Sequence, residues 1–289
     1  MHVRDLLKGN KPTFSFEFFP PRDAAAAETL RLSMRELVPL SPSFVSITYG
    51  AGGSTRQLTH DLVLRIHEKE RLPVVPHLTC VGSTRQELGH ALARYASAGI
   101  TDIMALRGDP PAGSIDYLPP PDGFSHAADL VGFIRTEFPS SGIGVAAYPQ
   151  GHHETPNRLR EMDHLKAKVD AGADYICTQF FFDNHVFYDF CDRCEAVGIH
   201  VPIIAGIMPI TSMATMRRMS ELALGVNIPG KLQKAFGRMS ERGSVARIGV
   251  HWATEQVRDL LDHHVAGIHL YTLNQSRATM QIIETLGVL

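Results

Sequence analysis

The stretch Ala98–Asp109, AGITDIMALRGD, contains one complete unit of a pattern that recurs along the chain. A glycine ends a helical segment, a short apolar run follows, and polar residues come directly after that run. Glycine just past a helix is a common C-terminal cap, and an apolar run of about four to eight residues between turn signals is typical of a buried strand. The segment therefore predicts a helix end, a strand and a polar loop, in that order.

The same unit repeats over most of the chain, with Gly99, Gly172, Gly198 and Gly267 each just before a predicted strand. Amphipathic stretches such as Arg85–Ala98 separate the strands and predict helices. Eight strands that alternate with helices favour a parallel α/β fold closed into a TIM (β/α)8 barrel. The predicted strands are Thr13–Phe19, Phe44–Tyr49, Val74–Cys80, Asp102–Arg107, Gly144–Tyr148, Tyr175–Phe181, Pro202–Gly206 and Ile268–Leu273.

A doubly wound sheet is the alternative architecture. Its glycine-rich fingerprint is missing, because Gly50–Thr55 reads GAGGST and lacks the last glycine of G-x-G-x-x-G. Asn227–Arg242 predicts an extra helix between units seven and eight, and Pro110–Pro121 predicts a long loop after strand four. No Pro- or Ser-rich linker divides the sequence, so residues 1–289 are expected to form one domain.

Composition excludes several classes of protein. The 289 residues are 44% hydrophobic, which is ample for a core, and the net charge of −2 without a basic run argues against nucleic acid or an anionic membrane as a partner. The first residues contain no signal-peptide core, and no apolar run approaches the ~18 residues of a membrane span. Four cysteines are too few for a disulfide framework in a chain of this length. We therefore expect a soluble cytoplasmic protein.

Polar residues concentrate where the predicted strands end, and this is where TIM barrels carry their active sites. Glu17 stands among three phenylalanines, so burial favours its neutral form and suggests a general acid. An equally good interpretation is a structural Glu paired with a Lys or Arg of a neighbouring strand. Asp109 is either a functional carboxylate or a turn cap, and Gln179 is either a ligand-binding amide or one satisfied by backbone groups.

Metal and redox motifs are weak. His152-His153-Glu154 has no partner motif, and His67-Glu68 does not continue as H-E-x-x-H because Arg71 holds the last place. The single C-x-x-C, Cys191 to Cys194, fits two thiols on one helix face better than a redox pair or a zinc site. We expect no metal site.

Seven strand-end segments together resemble methylenetetrahydrofolate reductase, in that family's order and over nearly the whole chain. The segments are FSFEFFPP (14–21), TYGA (48–51), PHLTC (76–80), LRGD (106–109), AYP (147–149), QFFF (179–182) and YTLN (271–274). The length resembles the short bacterial form, without a regulatory domain.

The resemblance implies an enzyme of one-carbon metabolism and methionine biosynthesis that reduces 5,10-methylenetetrahydrofolate to 5-methyltetrahydrofolate. It implies a non-covalent FAD that accepts hydride from NADH and passes it to the folate in a ping-pong sequence. A homo-oligomer is implied as well. The residues alone do not distinguish NADH from NADPH.

The resemblance also implies roles for individual residues. Glu17 would protonate the folate nitrogen N10, and Asp109 would lie beside the flavin N1 and favour a cationic substrate. Substrate contacts would come from Gln179, Thr215, Met219 and Gln275. FAD contacts would come from Thr48, Tyr49, Ala51, His77, Arg107, Gly108, Asp109, Ala127, Tyr148, His152, Glu161, His164 and Lys168, with Arg107 and Lys168 as the phosphate partners.

Four positions depart from the family pattern. Glu161 replaces a usual Asp, Ala167 replaces an Arg of some members, and Met219 replaces an aromatic residue of some members. Gln275 stands where the family usually has Arg, which predicts weaker binding of the folate tail. Two other functions stay open at this point: a flavin-free folate barrel acting as a methyltransferase or carrier, and a binding barrel without enzymatic activity.

Overall fold

The computed structural model describes residues 1–9, 11–49, 56–110, 118–223, 225–238 and 242–288. Eight parallel strands form a closed barrel in sequence order, β1 to β8, with β8 pairing back to β1. The strands are β1 Thr13–Phe18, β2 Phe44–Ile47, β3 Val74–Thr79, β4 Asp102–Leu106, β5 Gly142–Ala147, β6 Tyr175–Thr178, β7 Ile203–Ile207 and β8 Gly267–Tyr271. The predicted TIM barrel is confirmed.

Helices surround the barrel, and a short 3₁₀ turn, Val38–Leu40, follows the second of them. The helices in the described part of the chain are α1 Val3–Leu6, α2 Ala24–Leu37, α3 Arg56–Glu70, α4 Arg85–Ser97, α5 Ala127–Glu137, α6 Arg158–Asp170, α7 Asn184–Ala196, α8 Met213–Leu222, α9 Gly230–Gly237, α10 Arg242–Asp262 and α11 Ser276–Leu286. The extra helix predicted between units seven and eight is present as α9. It is shorter than expected: α9 ends at Gly237, and Arg242, the last residue of the predicted range, is the first residue of α10.

Side chains alternate between the two faces of each strand, as the period of two in a strand requires. Phe14, Phe16 and Phe18 of β1 point outward and pack in the main core with helix residues such as Leu30 and Ile282. The residues between these phenylalanines, Ser15 and Glu17, therefore point into the barrel. This alternation places polar groups inside the barrel and apolar groups under the helices.

Apolar residues fill the N-terminal end of the barrel interior, where Phe44, Met104, Tyr175 and Ile204 pack with Val3 of α1. Val3 is completely buried, and its backbone N–H donates to Asp102 Oδ1 at 3.0 Å. Helix α1 thus closes the end of the barrel opposite to the strand ends that carry the polar residues. No helix among the described residues is long and apolar enough to cross a membrane.

The predicted helix ends are confirmed at Gly99, Gly172 and Gly198, which follow helices with φ of 81°, 115° and 74°. The prediction for Gly267 is wrong, because this glycine is the first residue of β8. A Cβ at Gly267 would lie 2.1 Å from Thr13 Oγ1, so glycine is needed there for the close approach of β1. The left-handed residue after α10 is instead His264, with φ of 54°.

Seven of the eight predicted strands extend one to three residues too far at their C-terminal ends. The backbone leaves the ladder about where the polar residues begin, so Tyr49, Arg107 and Tyr148 belong to loops. These residues are therefore free of the strand alternation and can face a site above the barrel.

Candidate active site

A cavity of about 790 Å³ lies at the C-terminal ends of β4 and β5, between α5 and α6. This is the end of the barrel at which TIM-barrel active sites lie. Ten predicted cofactor-binding residues line the cavity: Tyr49, Arg107, Gly108, Asp109, Ala127, Tyr148, His152, Glu161, His164 and Lys168. The structure thus collects predicted residues from three strand–helix units, those of β2, β4 and β5, around one space.

Three predicted cofactor-binding residues are placed differently. The Thr48 backbone N–H donates to the Phe18 carbonyl at 3.0 Å, and Thr48 is not part of the cavity wall in the described region. His77 points into the barrel towards Glu17 instead. Ala51 lies outside the described residues.

One face of α6 supplies much of the cavity wall. Asn157 caps this helix, since its Oδ1 accepts hydrogen bonds from the N–H groups of Leu159 and Arg160 at 3.0 and 3.2 Å. Glu161, His164 and Lys168 then follow at spacings of three and four residues, which put them on the same face. The cap therefore sets where these three side chains enter the cavity.

Lys168 carries the ammonium group at the base of this face. Its Nζ donates to the Ala146 carbonyl at 2.5 Å, and burial lowers the pKa of Lys168 to about 8, although the carboxylate of Glu161 acts in the opposite direction. Burial likewise raises the pKa of Glu161, whose Oε1 accepts the His152 backbone N–H at 2.9 Å. An anion beside Lys168 would favour its charged form and would be held strongly by it.

Arg107, at the end of β4, forms an ion pair across the cavity. Its Nη2 donates to Glu154 Oε2 in the loop after β5 at 2.5 Å. An anionic ligand that binds the Arg107 guanidinium group must therefore compete with Glu154 for it. The ion pair ties the end of β4 to the β5 loop.

A second cavity, of about 100 Å³, adjoins the first and shares Asp109, Tyr148 and His152 with it. Gln179 and Phe180, which follow β6, line this smaller space. Gln179 Oε1 accepts the Phe180 N–H at 3.0 Å, so the amide is partly satisfied by backbone, as one of the two interpretations predicted. The geometry brings Gln179 and Asp109 to one junction.

Glu17 points into the barrel and is only 5% exposed. Its Oε2 lies 3.5 Å from His77 Nε2 and 3.6 Å from His269 Nε2. The partners are imidazoles, whereas the structural interpretation expected a Lys or Arg. Burial lowers the pKa of His77, against the effect of Glu17, so its neutral form is favoured.

His269 is a site residue that the sequence analysis missed. It is 1% exposed, its Nδ1 lies 2.7 Å from Ser15 Oγ, and its Nε2 lies 3.2 Å from Ser46 Oγ. Ser15 stands two residues before Glu17, a predicted site residue, and His269 stands two residues before Tyr271, the first residue of the YTLN segment. The strand alternation, applied to these positions, would have identified them as inward-facing polar residues.

The remaining predicted substrate contacts lie away from both cavities in this structure. Thr215 is in the first turn of α8, where its N–H donates to Ser212 Oγ at 2.9 Å. Met219 is 2% exposed and packs with Phe180 and Phe182 in a second apolar cluster. Gln275 is exposed and immediately precedes α11.

The possible metal ligands and the two thiols of the C-x-x-C motif lie as follows in the structure. Within the described part of the chain, no three His, Cys, Asp or Glu side chains are arranged to hold a metal ion. Cys191 and Cys194 lie one turn apart on α7 and pack against the main core. Burial raises the pKa of Cys191 to about 11 and that of Cys194 to about 12, so both thiols are protonated at neutral pH.

Comparison with known proteins identifies the family. The sequence model described as methylenetetrahydrofolate reductase matches residues 2–287. The chain belongs to the methylenetetrahydrofolate reductase family. The resemblance drawn from the seven strand-end segments is confirmed.

Relatives in this family come from plants and bacteria. The chain is 37% identical over 298 residues to methylenetetrahydrofolate reductase (NADH) 1 of Arabidopsis thaliana, covering 99% of this chain and 50% of that protein. It is 40% identical over 275 residues to 5,10-methylenetetrahydrofolate reductase of Salmonella typhimurium, covering 95% of this chain and 90% of that protein. The chain thus spans half the length of its plant relative and most of its bacterial one.

Solved structures support the architecture. A protein from Clostridium thermocellum, described as binding two copies of 5-methyl-5,6,7,8-tetrahydrofolic acid, superimposes with a TM-score of 0.69 over 99% of both chains. Its sequence is 16% identical to this one, so the likeness concerns the fold.

Lys168→Met tests the electrostatics of this cavity. The Lys168 ammonium has its ordinary pKa of 10.5 in the unfolded chain and about 8 in the folded one. Between these values the unfolded chain binds the extra proton, so the Lys168 contribution to the free energy of unfolding increases with pH. We expect the difference in unfolding free energy, wild type minus variant, to rise by about 1–3 kcal/mol between pH 8 and 10.5.

Urea unfolding of the ligand-free protein at several pH values measures this difference. Lys166→Met is the matched control, because Lys166 lies on the same helix and pairs at the surface with Asp170. Its difference should stay within a few tenths of a kcal/mol over the same range. A flat difference for Lys168→Met would show that its ammonium is hydrated in the folded protein.

Proposed function

We propose that this chain is an oxidoreductase that uses NADH to reduce 5,10-methylenetetrahydrofolate to 5-methyltetrahydrofolate, with non-covalently bound FAD. The observation that carries the proposal is the placement of a buried acid, Glu17, at the same end of the barrel as a cation-lined cavity that contains Asp109. Membership of the family and the names of the relatives support it.

The cavity fits FAD in size and in the chemistry of its donors. Its volume of about 790 Å³ falls within the ~300–1,000 Å³ usual for cofactor sites. Three cationic residues line it: Arg107, Arg160 and Lys168. His126–Asp129, the start of α5, also lines it, and a helix N-terminus favours phosphate groups. A dinucleotide with a pyrophosphate matches this set of donors.

Lys168 and Arg107 are the proposed partners of the pyrophosphate. Arg107 would exchange Glu154 for phosphate oxygens, and Lys168 would gain a counter-charge in addition to the Glu161 carboxylate. The reacting ring system would lie beside Asp109, where the two cavities meet. When bound, FAD supplies hydride transfer from NADH to the folate, the two substrates reacting in turn.

Substrates would enter at the junction of the cavities. The Gln179 side-chain oxygen accepts the Phe180 N–H, which leaves the Nε2 group available to a ligand in the smaller cavity. Asp109 is exposed there, and its negative charge would favour a cationic, ring-opened form of the folate. These two residues orient the substrate and stabilise the charge that develops on it.

Glu17 is the proposed proton donor. Opening the five-membered ring of the folate requires a proton at N10, and a carboxyl group held between His77 and His269 can deliver it. Glu17 is only 5% exposed, so little solvent reaches its carboxyl group. We also propose that residues 1–289 act as one catalytic domain, because the eight strands close into a single ring.

Adding FAD to the purified protein tests the proposed function. We expect FAD to bind with a visible spectrum typical of a flavoprotein. Under anaerobic conditions, oxidation of more than one equivalent of NADH per FAD should require the folate. Folate binding with no effect of FAD would instead indicate a flavin-free methyltransferase or carrier barrel. Absence of binding and turnover in a folded preparation would indicate a barrel of another kind.

Glu17→Gln is expected to separate the two half-reactions. The amide keeps the shape of the side chain but cannot donate a proton to N10. General acid catalysis contributes about 10²–10⁴-fold, so oxidation of the enzyme by the folate should slow by at least about 100-fold. Reduction of the enzyme by NADH needs no such proton and should change less than about twofold. Stopped-flow absorbance at the flavin band measures both rates.

The control is Glu28→Gln, which makes the same change on the surface of α2, where Glu28 pairs with Arg31. Both half-reactions should be unaffected in this variant. Equal losses in both half-reactions of Glu17→Gln would mean that Glu17 only maintains the barrel.

A further inference from the structure

The side chain of Asn274, in the loop after β8, spans the backbone at the end of β1. Phe19 N–H donates to Asn274 Oδ1 at 2.8 Å, and Asn274 Nδ2 donates to the Phe19 carbonyl at 2.9 Å. Both hydrogen bonds fall on one residue, two positions after Glu17. We call this pair of hydrogen bonds the Asn274 clamp.

A second contact from the same loop reaches Glu17 itself. Thr272 Oγ1 donates to the Glu17 carbonyl at 2.6 Å, and the same oxygen accepts the Asn274 N–H at 3.1 Å. The loop is anchored from the other side by α2, because Ser33 Oγ donates to the Asn274 carbonyl at 2.6 Å. The loop therefore connects a helix of the outer layer to the backbone of the proposed acid.

These contacts replace strand pairing where the pairing stops. The register of β1 with β8 ends at Glu17 opposite Tyr271. Beyond this point, side-chain groups of Thr272 and Asn274 bond to the β1 backbone in place of the β8 ladder. On the other side of β1, the Phe18 carbonyl accepts the Thr48 N–H at 3.0 Å.

The loop adopts an unfavourable backbone conformation to make these contacts. Leu273 and Asn274 have φ of 51° and 59°, two consecutive residues in the left-handed region. This region costs free energy for a residue other than glycine, although Asn tolerates it best. Such residues persist where surrounding contacts hold them, and they cluster at functional sites.

We propose that Asn274 is a positioning residue for Glu17, which rests on the proposed function of Glu17 as the acid. The clamp fixes the backbone that carries Glu17, and thereby holds its carboxyl group at its place between His77 and His269. Without the clamp, the end of β1 moves and the proton no longer reaches the folate. Both polar atoms of the Asn274 side chain bond to the Phe19 backbone, so we assign its effect to β1 and not to a contact with the substrate.

Asn274→Gly tests the proposal, because glycine keeps the left-handed backbone and removes only the amide. A displacement of about 1 Å at a reacting group can cost about 100-fold. We therefore expect oxidation by saturating folate to slow by roughly 10- to 100-fold and reduction by NADH to change less than about twofold. Asn274→Asp keeps the acceptor for the Phe19 N–H and should give an intermediate rate.

The control is His264→Gly, which also places glycine at a residue with left-handed backbone. His264 lies before the N-terminal end of β8, whereas Asn274 lies after its C-terminal end. It should leave both half-reactions unchanged. Equal slowing of both half-reactions in Asn274→Gly, or no slowing of the folate half-reaction, would overturn the proposal.

Combining Asn274→Gly with Glu17→Gln separates this inference from the proposed function. If Asn274 acts through Glu17, the double variant should be no slower with folate than Glu17→Gln alone. Multiplied losses would contradict the inference, while leaving Glu17 as the acid. If Glu17→Gln itself does not slow the folate half-reaction, the function proposed for Glu17 is wrong and the inference falls with it.

A readout without cofactor comes from NMR of the histidine rings in the FAD-free protein. The resonances of His77 and His269, identified by their response to Glu17→Gln, should shift in Asn274→Gly and stay unchanged in His264→Gly. Unchanged ring resonances in Asn274→Gly would show that the Glu17 carboxyl group does not depend on the clamp.

Discussion

The neighbours of a carboxyl group inside a closed barrel are the side chains that other strands also point inward. Burying such a group among apolar side chains alone is costly, so the inward positions around Glu17 are constrained together. His77 comes from β3 and His269 from β8, and Ser15 and Ser46 in turn contact His269. This arrangement exists only because β8 closes against β1, so the site depends on the same strand pairing that completes the fold.

The site divides the rim of the barrel into two sectors with different chemistry. On the side of β4, β5 and α6, cations and a large cavity suit an anionic dinucleotide. On the side of β1 and β8, a buried carboxyl group and two histidines suit proton transfer. Asp109 and Gln179 lie between them, at the junction of the two cavities. Binding and proton transfer can therefore be altered separately, since they rest on different strands.

Much of this could be predicted from the sequence, and the failures have physical causes. Eight strands and the helix ends at Gly99, Gly172 and Gly198 follow from local patterns and are confirmed. The role of Gly267 was predicted wrongly. Glycine is needed there because Thr13 of β1 approaches it closely, and this contact joins residues that are far apart in sequence. The strand alternation identifies His269 as an inward-facing residue, but its partners Ser15 and Ser46 come from other strands, and no local pattern specifies them. The burial of Met219 depends on how α8 packs over the barrel, which no local pattern specifies.

We propose above all that FAD bound in the larger cavity accepts hydride from NADH and then passes it to the folate. An anaerobic titration of the FAD-loaded protein tests this most directly. NADH alone should abolish the visible flavin band, and 5,10-methylenetetrahydrofolate added after removal of the NAD⁺ should restore it, with one equivalent of 5-methyltetrahydrofolate formed. A band that NADH leaves unchanged, or that the folate restores only while nicotinamide is still bound, would contradict the account.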